Sequence, residues 1–531
     1  MDSIYKIMIG AWAFVIIWVI AVIFMNRKQH PAALFCLFMV ELWERFSYYG
    51  MRAMLVLYVT KTILDQKAGF AGFGGFGMSK DAGYGIYGAY GALVYLTPLL
   101  GGVLADRLLG FRKSIVWGAI LMAAGQFALA GSAWGGGAEI TQTLRLQLAF
   151  FGLGLLVMGN GFFKPNISSL IGRFYQQGDP RRDGAFTIFY MGINMGAFLA
   201  PLTATAIGEK EGWQYGFLLA GIGMVLGLII FLVTVFTGVL QQHAEPPKPA
   251  PVFASSPKMW EYVVYGGTFL FVGLSTLLIY KNDIVDIVLI VLGLLVIAYM
   301  IYDSFQYTKP EQQRIFVILI LLFFTAVFWT FFELAGSALT IFTDRHISKN
   351  LFGLKITTGS FQSVNAFFII IFAPLFSYMW TYLGRRKLDP NAAIKFAIGL
   401  LLLGLGFLLL STGKQSAKDF VMPSIFMIGL YLLHTLGELA LSPVGLSLVT
   451  KLAPGKIVGM MMGIWFLSSS IAHQAGKHIA KLTEVSDKAT PQETFDQALK
   501  VFNQCGFFAI ACAALLLLIS PLMKKWMHGV R

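Results

Sequence analysis

The sequence predicts an all-α integral membrane protein of two six-helix bundles, with a two-helix insertion between them and one extra N-terminal transmembrane helix. Three observations carry this reading. Hydrophobic residues fill 57% of the 531 positions and charged residues 12%, with a mean hydropathy of +0.72, which excludes an ordinary soluble domain. Fifteen apolar runs follow one another, each near the roughly 20 residues that cross a hydrocarbon core. A polar, proline-rich stretch at 241–258 divides them into blocks.

The first run, 5–25, is followed directly by Arg27 and Lys28 and lacks a small-residue cleavage site, so residues 1–29 read as a retained extra helix rather than a signal peptide. Runs at 31–60, 82–105, 113–132, 144–171, 184–207 and 214–240 make an N-terminal bundle over residues 30–240. Residues 241–258 then read as a cytoplasmic linker. The runs 259–280 and 284–302 are separated by Lys281-Asn282-Asp283, which predicts an inserted helical hairpin over 259–305. Runs at 313–342, 356–383, 392–412, 420–449, 456–480 and 499–522 make a C-terminal bundle, with a cytoplasmic tail, over 306–531.

The formal net charge of +14 raises the possibility of nucleic acid, but the basic residues collect in short loops at alternate connections, such as Arg107/Arg112/Lys113, Lys248/Lys258 and Arg385/Arg386/Lys387. That pattern is an orientation signal and predicts a cytoplasmic C-terminus. Lysines at 61, 67, 80 and 414 in the intervening loops dilute it. The glycine-rich stretch 69–77 reads as a flexible external loop. Cys36, Cys505 and Cys512 have neither metal-ligand nor disulfide spacing.

Residues 41–52 interrupt an otherwise apolar span with charge. Glu41, Glu44, Arg45, Tyr48 and Arg52 stand at offsets of 0, 3, 4, 7 and 11, and at about 100° per residue these share one helical face. Each charge at a bilayer midplane costs at least about 2.5 kcal/mol, so the stripe must face protein or a water-filled cavity and find partners there. Lys164 lies in another apolar span just before Pro165, which withholds a backbone donor and opens the helix locally. Its carboxylate partners come from Glu41, Glu44 and Glu438, with a purely structural ion pair as the bland alternative. Glu333 and Glu438 occupy apolar spans of the second half. Salt bridges between halves that protonation releases would link proton binding to gating.

Glu41-Leu-Trp-Glu44-Arg45-Phe-Ser-Tyr48-Tyr49-Gly50 resembles the ExxERFxYYG motif of the proton-coupled oligopeptide transporters (POT, also called PTR) of the major facilitator superfamily. Gly102-Val-Leu-Ala-Asp106-Arg107-Leu-Leu-Gly110-Phe-Arg112-Lys113 resembles the superfamily's loop between the second and third core helices. Gly159-Asn-Gly-Phe-Phe-Lys164-Pro165-Asn166, Phe189-Tyr-Met-Gly-Ile-Asn194, Phe328-Trp329-Thr-Phe-Phe-Glu333, Phe361-Gln-Ser-Val-Asn365, Gly437-Glu438 and Trp465-Phe-Leu-Ser468-Ser469 are similar to POT segments. The resemblance spans about residues 30–525, and bacterial members commonly carry two extra helices between their halves. Two features depart from it. Leu334-Ala335 follows Glu333 where the family often has Glu-Gln, and the helix at 5–25 precedes the family's usual start.

The resemblance implies a major facilitator fold and a symporter that imports di- and tripeptides with protons. It implies proton coupling through Glu41, Glu44, Arg45, Lys164 and Glu333. It also implies an outer gate of Arg52 with Glu333 and an inner contact of Lys164 with Glu438. A zwitterionic peptide needs separated charged ends with tolerant walls between. Arg45, Arg52 and Lys164 suit its carboxylate and Glu438 its ammonium. Glu333 joins this binding set, and the resemblance adds Tyr48, Tyr49, Tyr90, Asn194, Trp329, Asn365, Trp465 and Ser469. For the aromatics, interfacial belts or bundle packing compete with a binding role. For the amides, hydrogen bonding between helices does so.

Other signals carry less. Glycines at 83, 85, 88 and 91 and at 152, 154, 159 and 161 lie in apolar helices with no preceding strand, so they read as helix-packing positions rather than nucleotide loops. His434 and His473 lack a ligand-spaced partner and read as packed or hydrogen-bonded histidines. The expected cofactor set is empty apart from the coupling proton, and the chain is not read as an enzyme. A monomer in a bacterial inner membrane is expected. The alternatives are a POT-like carrier of a non-peptide substrate, an integral-membrane transferase, and a sensor without flux.

Overall fold

The computed structural model describes residues 2–61, 75–134, 141–176, 179, 181–244, 247, 249–486 and 488–530. Lys67, Lys248 and residues 69–74 of the glycine-rich stretch lie outside them. The chain is helical nearly throughout. Helix α1 (Ser3–Asn26) leads through Pro31 into α2 (Ala32–Thr60). Helix α3 (Lys80–Leu104) passes through a π-helical turn, Ala105–Leu109, into α4 (Gly110–Ala133). The connection expected as a loop at 106–112 is therefore wound into the helices, and Gly110 at φ +74° supplies the left-handed residue at the join.

Helix α5 (Gln142–Gly172) starts where the Thr141 hydroxyl accepts from Leu144 N. It is followed by α6 (Arg181–Ala200), a π-helical turn at Pro201–Thr205, α7 (Ala206–Glu211) and α8 (Trp213–Phe236). After the linker come α9 (Pro257–Tyr280), α10 (Asn282–Ser304) and α11 (Lys309–Phe332). The span expected as continuous over 313–342 is broken. A 3-10 turn at Glu333–Gly336 separates α11 from α12 (Ala338–His346), where Gly336 and Ser337 interrupt the helical hydrogen bonding. A small hairpin, β1 (Asn350–Leu351) and β2 (Leu354–Lys355), and a 3-10 turn at Gly359–Gln362 precede α13 (Ser363–Arg385). The remainder is α14 (Ala392–Thr412), α15 (Ser424–Leu452), α16 (Val458–Lys481) and α17 (Pro491–Trp526).

Among the described residues, twelve helical stretches are long and apolar enough to cross a membrane, one of them the continuous Lys80–Ala133. The charged α2 and the Ser-, His- and Lys-bearing α16 fall outside that set because of the polar side chains they carry.

The helices gather into two compact units. The first comprises Met1–Ser79, Leu93–Lys281 and Leu354–Ala366; the second comprises Lys80–Ala92, Asn282–Gly353 and Phe367–Arg531. In the first, α2 packs on α6 and α8, and α4 packs on α5 and α8. The α4–α5 pair meets backbone to backbone. A Cβ at Gly118 would lie 2.6 Å from the Gly159 carbonyl oxygen, and one at Gly125 would lie 2.7 Å from that of Gly152.

Helix α1 buries Ala11, Val15 and Val22 and leaves Ile17, Ile20 and Phe24 exposed, as suits a peripheral helix facing lipid. Its Trp12 rests 5.8 Å from the Trp43 ring and donates to Thr203 Oγ1 at 3.0 Å. Helix α9 is fixed to α4 by Lys113–Glu261 at 2.5 Å and by Trp117 Nε1 donating to Thr268 Oγ1 at 3.3 Å.

In the second unit, α14 packs on α15 and α17, and α16 packs on α10, α11 and α15. Lys477 of α16 is fully buried and reaches α10, 2.6 Å from Asp286 and 3.4 Å from Asp283.

Candidate functional site

The charged stripe of α2 is inside the first unit. Glu41 is 2% exposed, Glu44 0%, Arg45 2%, Tyr48 4% and Arg52 9%. Arg45 Nε stands 3.0 Å from Glu41 Oε1 and 2.5 Å from Glu44 Oε2. These are contacts of charge rather than aligned hydrogen bonds, since neither Arg45 Nε nor Glu44 Oε2 meets hydrogen-bond geometry with a described residue. The guanidinium of Arg45 also lies over the Tyr48 ring at 5.2 Å, and that of Arg52 over Tyr49 at 5.7 Å. The two tyrosine rings meet edge to face at 5.2 Å.

Lys164 approaches this group from α5 and interacts electrostatically with Glu41, Glu44, Arg45 and Arg52. Two carboxylates therefore face Arg45 and Lys164, a set that is neutral when all four are ionised. One proton added to either glutamate gives the set a net positive charge. Its Nζ also stands 4.8 Å from the Tyr95 ring centroid, a contact the sequence reading missed.

The local fold around Lys164 has a clear cause. Pro165 lacks the N–H that would bond the Gly161 carbonyl. Helix α3 crosses at this point: Thr97 Oγ1 donates to the Val157 carbonyl at 2.9 Å, and a Cβ at Gly161 would lie 2.8 Å from Thr97 Cβ. Gly196 of α6 admits the Arg45 stem, because a Cβ there would come within 2.8 Å of Arg45 Cβ. Asn194, 4% exposed, donates Nδ2 to the Tyr190 carbonyl of its own helix at 2.9 Å. Asn365 belongs to the same unit, at the start of α13.

The other expected residues fall in the second unit. Tyr90 lies on the part of α3 that belongs there and is 2% exposed. Trp329 is half-buried on α11, edge to face with Phe332 at 5.1 Å. Glu333 opens the 3-10 turn and is 6% exposed. Glu438 is buried on α15, beside the close α14–α15 crossing at Gly399 and Gly437. Trp465 and Ser469 share α16; Trp465 fills the space over Gly445, where a Cβ would lie 3.0 Å from its Cζ2. The structure thus brings Glu41, Glu44, Arg45, Tyr48, Tyr49, Arg52 and Lys164 together. It distributes the second-unit candidates over α3, α11, the 3-10 turn, α15 and α16. His473, read from sequence as a packed histidine, stands with Nε2 3.9 Å from Glu333 Oε1. Its wide sequence separation from Glu333 left no pattern to find it by.

Among the described residues no group of His, Cys, Asp and Glu is arranged to hold a metal ion. Buried charge paired within membrane helices suits ion or proton movement.

A model described as the POT family matches residues 112–496. The chain is 35% identical over 506 residues to the "Uncharacterized transporter YclF" of Bacillus subtilis, covering 94% of this chain and 96% of that one. It is 31% identical over 505 residues to a "Dipeptide and tripeptide permease B" of Photorhabdus asymbiotica, covering 94% and 97%. A crystal structure of a mutant peptide transporter POT in complex with alafosfalin matches with a TM-score of 0.79 at 35% identity, covering 94% of this chain and 96% of that one.

Proposed function

The chain belongs to the POT family of multi-pass membrane transporters, and from that premise we propose that it is a symporter that imports di- and tripeptides with protons by alternating access. The observation that supports this most directly is the buried set Glu41, Glu44, Arg45 and Lys164, whose charges balance within a membrane unit. A peptide carboxylate arriving at Arg45 or Lys164 competes with the glutamates for cationic partners, and a proton taken up by a glutamate offsets that competition. Tyr48 and Tyr49, already stacked by the two arginines, offer rigid, side-chain-tolerant walls. In this reading Glu333 carries the proton and Glu438 takes the peptide ammonium, with Tyr90, Trp329, Trp465 and Ser469 as walls. Asn194 and Asn365 of the first unit provide backbone-binding amides. The protein acts as a monomer in a bacterial inner membrane with its C-terminus in the cytoplasm.

The test is uptake of labelled dialanine into liposomes under an inward proton gradient, with and without a protonophore. Gradient-driven uptake is the expected result. Uptake indifferent to the gradient, or none from folded protein, rejects proton-coupled peptide symport.

A further inference from the structure

Glu333 has a buried histidine at its side. His473 is 4% exposed on α16, and its Nε2 lies 3.9 Å from Oε1 of Glu333. The fold makes room for this ring. A Cβ at Gly91 of α3 would lie 2.5 Å from its Nδ1 and 2.7 Å from its Cγ, and one at Gly88 would lie 3.2 Å from the His473 carbonyl oxygen. Gly336, three residues after Glu333, clears space for the Tyr87 hydroxyl, and the Tyr87 ring faces His473 edge-on at 6.4 Å. Three glycines thus admit an imidazole and a phenol beside a buried carboxylate, where a site built for packing alone would hold apolar side chains.

Several other ionisable groups on α16 and the helices beside it are engaged elsewhere. Lys477, one turn along, is turned to Asp286 and Asp283 of α10, and His478 Nε2 lies 2.9 Å from Asp286. From α15, His434 Nε2 lies 3.1 Å from the Leu403 carbonyl oxygen, and Glu438 stands one turn further on. Glu333 from the 3-10 turn and Tyr87 from α3 both face His473.

We propose that His473 is the proton-exchange partner of Glu333, a reading that rests on the proton-symport function above. With Glu333 protonated, its O–H gives the proton to Nε2 of neutral His473. The O–H bond breaks, an N–H bond forms, and a carboxylate faces an imidazolium; the reverse step restores the acid. Transfer requires the 3.9 Å separation to close to hydrogen-bond length. The imidazolium stabilises the Glu333 carboxylate while the proton is away, so the two residues load and unload as one group.

The experiment compares two readouts on the full chain in liposomes: dialanine uptake driven by a proton gradient, and dialanine counterflow, which needs no net proton movement. His473→Gln and His473→Asn are made alone and with Glu333→Gln. We expect either histidine variant to lower driven uptake about tenfold more than counterflow and to move the pH midpoint of driven uptake by about one unit, the scale of interacting sites. Adding it to Glu333→Gln should cause little further loss, as for residues acting together. Equal losses in both readouts with an unmoved midpoint, or full additivity with Glu333→Gln, overturn the proposal. Failure of the parent reading looks different, because driven uptake by the unsubstituted protein would then ignore the gradient.

Discussion

Glu209 of α7 holds the backbone of Gly359: its Oε1 accepts from Gly359 N at 2.6 Å, while its Oε2 accepts from Thr358 N at 3.0 Å. One carboxylate therefore satisfies two amides at the start of the 3-10 turn that leads into α13. A Cβ at Gly359 would run into the Thr205 methyl, so this approach requires glycine. Glu209→Ala should destabilise the folded protein by about 1–3 kcal/mol, the cost of stranding such donors, with Glu209→Gln closer to the parent. Thermal unfolding in detergent checks it, and a change below a few tenths would show that the contact contributes nothing.

Arg45 is the shared partner of two buried carboxylates. Its removal takes away the cation both carboxylates contact directly and leaves Lys164 to face them, a loss of about 3–5 kcal/mol. Arg45→Ala should therefore reduce the yield of folded protein, whereas Glu44→Gln and Lys164→Ala should fold and lose gradient-driven uptake. Size-exclusion profiles and liposome uptake separate the two effects. Well-folded Arg45→Ala would contradict the charge balance described above.

Gly196→Ala places a methyl 2.8 Å from Arg45 Cβ and 2.9 Å from Phe46 N. Neither neighbour is a free side-chain end, so the helices must separate, at a cost of about 1–3 kcal/mol. Gly267→Ala on α9 meets nothing within 4 Å and should be neutral or stabilising by up to about 1 kcal/mol through helix propensity. The ordering of the two variants in thermal unfolding is the result to examine.

Trp12→Phe removes the indole donor to Thr203 while keeping a ring beside Trp43. A loss of about 0.5–1.5 kcal/mol is expected. Trp12→Ala should lose more, because it also removes the aromatic contacts with Trp43 and Phe46. Equal stability of both variants would mean that the ring contacts, rather than the hydrogen bond, contribute nothing.

His30 lies on the connection between α1 and α2, its Nδ1 2.9 Å from the Tyr175 hydroxyl oxygen. Burial, and after it the Arg181 charge, hold its pKa below the usual histidine value, with Asp179 opposing. Between the depressed value and the ordinary one the unfolded chain binds more protons than the folded one, so stability rises with pH there. The contribution is complete above the ordinary histidine pKa and declines as pH falls through the folded one. Nuclear magnetic resonance of labelled histidines, assigned with His30→Gln, measures the midpoint; a value above the ordinary one contradicts this.

The helical passes were legible because apolar run length is a strong signal, and the α2 stripe because 3.6-residue periodicity converts spacing into a shared face. The interruption at Glu333 was not legible: Leu334, Ala335 and Gly336 do not announce a 3-10 turn, and Leu334 and Ala335 favour helix by propensity. The π-helical turn at Ala105–Leu109 was hidden because the charges from Asp106 to Lys113 read as a loop, and the one at Pro201–Thr205 because it lies inside the apolar run 184–207. Residue types that need partners could be named from sequence, but the partners could not. Lys164 needed carboxylates, and nothing in its own segment pointed to Tyr95. His473 passed as packing because Glu333 is far away in sequence and Gly91 becomes meaningful only once α3 and α16 are side by side.

The backbone contact between α4 and α5 has a mechanical consequence. Where Gly118 meets Gly159 and Gly125 meets Gly152, the two backbones come close enough that the flanking Met122, Leu156 and Phe163 side chains pack tightly alongside the contact. Their amides should be among the slowest in the chain to exchange with deuterated solvent, since opening one helix there exposes the other. The pair thus behaves as a stiff spar. Around it other helices of the first unit can adjust during a transport cycle while Lys164, carried on that spar, keeps its position.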